Sequence, residues 1–139
     1  ACSDRGNAVA RAGDGQRGRL PTAVPRHARW KLTQAAYTAA VRWSDFDAAQ
    51  GFVEPSYAQA HPLSDLERSR YEQVQISGYR ELRVGEDGNG DLRREVELRV
   101  INRNTQAERL VRSIELWRWD AERKRWWLAS GLPDLWQGQ

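Results

Sequence analysis

The sequence is short of the residues that build metal centres and covalent cross-links. Among 139 residues there is one cysteine, Cys2, and two histidines, His27 and His61. A closed Cys/His zinc site needs four such ligands, and an internal disulfide needs a second cysteine, so both are excluded. Methionine is absent, and lysine occurs only at Lys31 and Lys124. No apolar run approaches the ~20 residues that a helix needs to cross a bilayer. What the chain has instead is arginine, which supplies 20 of the 22 basic residues, and seven tryptophans. Its length is that of one domain.

The basic balance is uneven along the chain. Residues 1–29 hold six Arg, two Asp, four of the 11 Gly and two of the five Pro. Their apolar residues are small and follow no period, so the segment cannot bury enough surface to offset its ordering entropy. It reads as a basic leader or linker. The rest, residues 30–139, reads as one nearly neutral domain with 16 basic and 17 acidic residues. Six Arg could contact phosphates, but no aromatic side chain interleaves them before Trp30, so nucleic-acid binding is not expected. The run Ala1-Cys2-Ser3-Asp4 resembles the cleavage site of a bacterial lipoprotein. That resemblance implies lipidation at Cys2, a membrane partner through the lipid anchor, and a periplasm-facing place on the outer membrane. Each buried CH₂ of such an anchor contributes about 0.8 kcal/mol.

From Trp30 the pattern becomes periodic. Ala36, Tyr37, Ala40, Val41 and Ala48 recur at helical spacing, which predicts helices over about 31–43 and 45–53, the second stopping before Pro55. Ser44 with Asp47 reads as the cap between them. Ser64 with Glu67 is a full capping box and starts a third, short helix. After Tyr71 the period becomes two. Val74, Ile76, Leu82 and Val84 share one parity, and Val96, Leu98 and Val100 share another, with Glu95, Glu97 and Arg99 opposite. Residues 85–90 and 102–106 are turns by composition. The stretch 107–120 is a long strand, and 125–130 closes the chain. Helices followed by four strands with short turns predict an α+β domain over an antiparallel meander. The third strand is apolar on both parities, so its second face needs a cover, such as a partner subunit or a ligand.

This layout resembles the nuclear-transport-factor-two-like superfamily, which includes SnoaL-like cyclases and ketosteroid isomerases. The matching residues are RWSDFDAA between two helices and LWRWDAERKRWWLASGLPDLW at the end. The resemblance implies N-terminal helices on a strongly bent four-stranded sheet, a cone-shaped, cystatin-like roll with a pocket at its mouth. It also implies homodimers, or an envelope protein partner, through the outer sheet face.

Candidate chemistry is sparse. An isomerase of that superfamily would need a tyrosine or protonated acid and a carboxylate base in the cone. Tyr37 lies on the core face of the first helix and could line a pocket. Glu115 shares the parity of Trp117 and Trp119 and could reach a pocket or face solvent. Strict alternation puts Gly78 and Arg80 inward on the first strand. Arg112, sharing parity with Leu110, Ile114 and Leu116, follows on the third. Two inward arginines would hold a carboxylate or phosphate; a β-bulge would instead flip parity and expose them. Tyr37, Arg80, Arg112, Glu115 and Trp117 are therefore the candidate ligand-binding residues. No catalytic set, metal site or cofactor is expected. Asp45 and Asp47 suit a helix start, and lone His61 suits a surface loop. The run Asp87–Asp91 lacks the glycine and glutamate of a calcium loop and suits a hairpin turn. The expected function is a non-enzymatic envelope module that binds a protein partner. The alternative is a small-molecule binder or enzyme that uses the cone.

Overall fold

A computed structural model describes residues 25–136. The lipidation expected at Cys2, like most of the leader, lies outside the described residues. Four helices come first: α1 (Arg26–Arg42), α2 (Phe46–Gln50), α3 (Pro55–Ala60) and α4 (Asp65–Glu72). Four strands follow: β1 (Val74–Glu86), β2 (Leu92–Asn102), β3 (Glu108–Asp120) and β4 (Arg125–Leu128). They form one antiparallel sheet in the order β1-β2-β3-β4. The α+β class and the meander are as the sequence pattern predicts.

Helix α1 starts at Arg26, inside the stretch that composition assigns to the linker. Pro25 holds φ at −57°, and its carbonyl accepts the Arg29 N–H at 3.0 Å, closing the first turn. Arg26 then stacks over Trp126 at 4.7 Å, and its carbonyl accepts the Trp126 indole N–H at 3.1 Å. Tertiary contact, invisible to local composition, extends the helix.

The junction after α1 also departs from expectation. Asp45, not Ser44, caps α2, accepting the Ala48 N–H at 3.1 Å. Ser44 has a left-handed backbone, φ 58°, and its hydroxyl accepts the Ile76 N–H at 3.0 Å. That bond ties the corner to β1. Helix α3, which the periodicity does not predict, opens on Pro55 at its first position and buries no residue. The capping box of α4 forms as read, with Glu67 N–H donating to Ser64 Oγ at 3.1 Å.

Two irregularities in β1 decide which side chains face the helices. Register shifts fall between Ile76 and Gly78 and between Glu81 and Arg83. Each inserts a residue and reverses the alternation. Val74 and Ile76 are buried, yet Arg80 is exposed, and Tyr79 takes the inward side. On β3 the inner face carries Val111, Glu115 and Trp117, leaving Leu110, Arg112, Ile114 and Leu116 outside.

The core lies between α1 and the inner face of β2–β4. Trp117 meets Trp30 at 5.5 Å and Tyr37 at 5.1 Å, both edge-to-face, and Trp30 meets Trp126 at 5.6 Å. Residues 52–54 bond to Leu128 and extend the sheet at β4 by one bridge.

Candidate polar cluster beneath the cleft

Beside this aromatic core, the inner face turns polar. Strand β2 places Arg94 in line with Val96, Leu98 and Val100, and it is buried like them. Its guanidinium has five N–H donors. Nε donates to Glu81 Oε1 at 2.8 Å. Nη1 donates to Tyr79 OH at 3.1 Å and to Glu115 Oε1 at 3.3 Å. Nη2 donates to Gln34 Oε1 and to Thr38 Oγ1, both at 3.0 Å. Gln34 and Thr38 are four apart on α1 and so present both acceptors on one face. All five donors are thus met within the chain.

Glu115 is equally enclosed. It accepts from Arg94, from the Tyr79 hydroxyl, and from the Trp117 indole at 2.8 Å. Burial pushes its carboxyl up; Arg94, Tyr79 and Trp117 pull against that shift. Arg94 responds the other way: burial disfavours its charge, and Glu115 with Tyr79 and Glu81 more than restores it. Burial, reinforced by Glu115, raises the phenols of Tyr37 and Tyr79. Tyr37 OH is buried with no hydrogen-bond partner.

A cleft of about 940 Å³ opens above this cluster, between α1 and the start of β1. Tyr79, Glu81 and Arg94 form part of its lining, with Arg42, Trp43 and Arg103. Trp43 is 83% exposed at the end of α1.

Of the residues singled out from sequence, the structure brings Tyr37, Glu115 and Trp117 together inside. It places Arg80 and Arg112 on the opposite face, their side chains 69% and 66% exposed. The inward placement of both is corrected. On β1 a bulge flips the parity; on β3 the parity of Val111 and Trp117, not that of Leu110, faces the helices. The two arginines still meet, but across Glu97. Arg80 Nη2 lies 2.8 Å from Glu97 Oε1, and Arg112 Nε lies 3.9 Å from Oε2. A carboxylate of the chain already fills the space between them. Of the two placements left open for Glu115, the structure takes the inward one.

The residue missed was Arg94. Its signal was available, since it shares parity with Val96 and Leu98. His61 stacks on Tyr57 at 4.4 Å and is exposed, as a loop residue. Asp87 accepts the Asn89 N–H at 2.9 Å, and Gly90 has φ 83°, which makes the 87–91 run a hairpin turn. Among the described residues no group of three His, Cys, Asp or Glu is placed to hold a metal ion. No protein-family model matches the chain, and comparison with curated proteins and with solved structures gives no match.

Proposed function

We propose that the domain is a non-enzymatic accessory module that works by binding a protein partner through the outer face of its sheet. The observation that carries this reading is a stripe on β3 that is apolar but for Arg112. Leu110, Ile114 and Leu116 are 57%, 47% and 37% exposed, and no helix covers them. Charged pairs flank the stripe: Arg80–Glu97, Arg83–Glu95 and Arg99–Glu108. An apolar strip rimmed by charges of both signs suits a protein surface, including a second copy of this chain. The polar cluster inside supports the non-enzymatic half. Arg94 has no donor left for a substrate, and the oxygens of Glu115 are held by three donors. Sedimentation velocity tests the self-association form: wild type forms dimers, and Leu110→Glu with Leu116→Glu yields monomers of unchanged helix content. Monomeric wild type restricts the reading to another envelope protein.

A second reading places a small molecule in the cleft, and exposed Trp43 beside Arg42 and Arg103 favours it. Millimolar carboxylates or phosphates that quench Trp43 emission, with no effect in Trp43→Phe, support that reading over the first. The nuclear-transport-factor-two-like relationship and the lipid tether at Cys2 belong to this proposal as well. Mass spectrometry of membrane-extracted protein reads the tether directly: an acylated Cys2 sustains it and a free thiol overturns it.

A further inference from the structure

A recess of about 400 Å³ lies between α1 and the β3–β4 turn, away from both the cleft and the outer sheet face. Arg29, Leu32 and Ala36 line it from one face of α1, Arg123, Lys124 and Arg125 from the β3–β4 turn and the start of β4, and Phe52 completes it. Four cations face one small volume. Among the described residues the one carboxylate paired with any of them is Asp120, 3.5 Å from Arg123. Asp120 is already engaged, accepting the Trp127 indole at 3.0 Å and the Glu122 and Arg123 N–H groups at 3.0 Å. Glu122, in the same turn, does not line the recess. Among the described residues Arg29 and Lys124 have no ion pair.

Arg125 is the most constrained of the four. Its guanidinium lies 3.5 Å over the Trp127 ring, and its Nε is buried with no hydrogen-bond partner. Burial lowers the Arg125 pKa, and Asp120 offsets part of that shift. Below Arg29 the same face of α1 is apolar, and Leu32 is largely exposed there. A small inorganic anion would satisfy the cations and leave that face in water.

We propose that this recess binds a phosphate-bearing amphiphile, its phosphate between Arg29, Lys124 and Arg125 and its apolar chain along Leu32, Ala36 and Phe52. The phosphate oxygens accept from the guanidinium groups, and the chain removes the exposed leucine from water. The site is independent of the sheet-face interaction proposed above.

Heteronuclear NMR of the full chain tests it, with dodecyl phosphate below its micelle concentration as the probe. Shifts at residues 29–36 and 123–125, with saturable binding, are expected. Arg29→Gln with Lys124→Gln alters exposed positions and keeps the wild-type melting temperature. The pair weakens dodecyl phosphate about tenfold, the size expected for losing charge-assisted contacts. Leu32→Ser weakens dodecyl phosphate and leaves inorganic phosphate unchanged. Equal binding of neutral dodecyl maltoside, or full affinity in the double variant, overturns the site. Inorganic phosphate binding as tightly as dodecyl phosphate overturns the amphiphile. Binding to phosphatidylglycerol vesicles without binding of free dodecyl phosphate overturns the single-molecule site.

Discussion

A guanidinium as deeply buried as Arg94 is tolerable because each of its N–H groups has an acceptor in the chain. The arrangement makes its neighbours dependent on it. Arg94→Met leaves the Glu115 carboxylate buried without its cation and is expected to cost about 3–5 kcal/mol. The double replacement Arg94→Met with Glu115→Leu costs less than the sum of the two single changes, because neither charge is then left alone. The pH dependence has a definite sign. Burial raises the Glu115 carboxyl, and losing Arg94 raises it further. An acid raised on folding contributes fully below its unfolded value and loses that contribution as pH rises through its folded value. The deficit of Arg94→Met relative to wild type is therefore largest at neutral pH and shrinks toward mildly acidic pH. Urea unfolding of both proteins at two pH values reads this directly. Two tyrosines give a contrasting pair. Tyr37 OH has no partner, so Tyr37→Phe is neutral or stabilises by up to about 1 kcal/mol. Tyr71 OH donates to the Pro133 carbonyl at 2.7 Å, so Tyr71→Phe costs about 1 kcal/mol.

At the scale of elements, the signals that were legible are those in which one short stretch holds both partners. The capping box of α4 is one: Ser64 and Glu67 satisfy each other's backbone N–H groups within four residues. Ser64→Ala is expected to lower stability by about 1 kcal/mol. Ser64 also holds the Glu67 carboxyl below its ordinary range, first through its backbone N–H and then its hydroxyl. A carboxyl lowered on folding contributes above its unfolded value and loses that contribution as pH falls through its folded value. The variant keeps that backbone N–H, so across the acid limb wild type loses more stability than Ser64→Ala by the hydroxyl's share alone, which melting temperatures along a pH series check. Strand β2 was legible for a similar reason, since its alternation from Val96 to Val100 is unbroken. The start of α1 was not, because Trp126, a hundred residues away, holds Arg26 in place. The facing of Arg80 was legible only as an alternative, because alternation does not say whether a bulge occurs near Gly78; the shift there reverses the side chains as far as the second shift at Glu81–Arg83. The Arg94 cluster needed both kinds of knowledge. Its own parity was readable, but its acceptors come from α1, β1 and β3 and meet only in the folded chain.

Across the whole molecule, the core is closed from the C-terminal side. The chain after β4 returns beneath α4, where Leu135 is fully buried and Trp136 meets Tyr71 at 4.9 Å. The Pro133 carbonyl accepts from Tyr71, and the Leu135 carbonyl accepts from Arg109. Gly131 starts this return with φ 77°, a backbone that L side chains rarely adopt. A Cβ there would also fall 2.7 Å from Tyr57 Cζ on α3. Gly131→Ala combines backbone strain with a ring displacement and is expected to cost about 2 kcal/mol or more. Ending the chain after Ser130 is more severe. It exposes the Tyr71 and Phe46 rings, which meet at 4.7 Å with their planes tilted by 39°, and removes Leu135 from the core. The loss, about 4 kcal/mol or more from apolar burial and two hydrogen bonds, is a large share of the about 5–15 kcal/mol that a domain holds. Urea unfolding followed by near-ultraviolet circular dichroism should show a shifted but cooperative transition for Gly131→Ala. For the truncation it should show no cooperative transition. A truncated chain that unfolds cooperatively at the wild-type midpoint would mean that the helices and sheet hold the core without the returning segment.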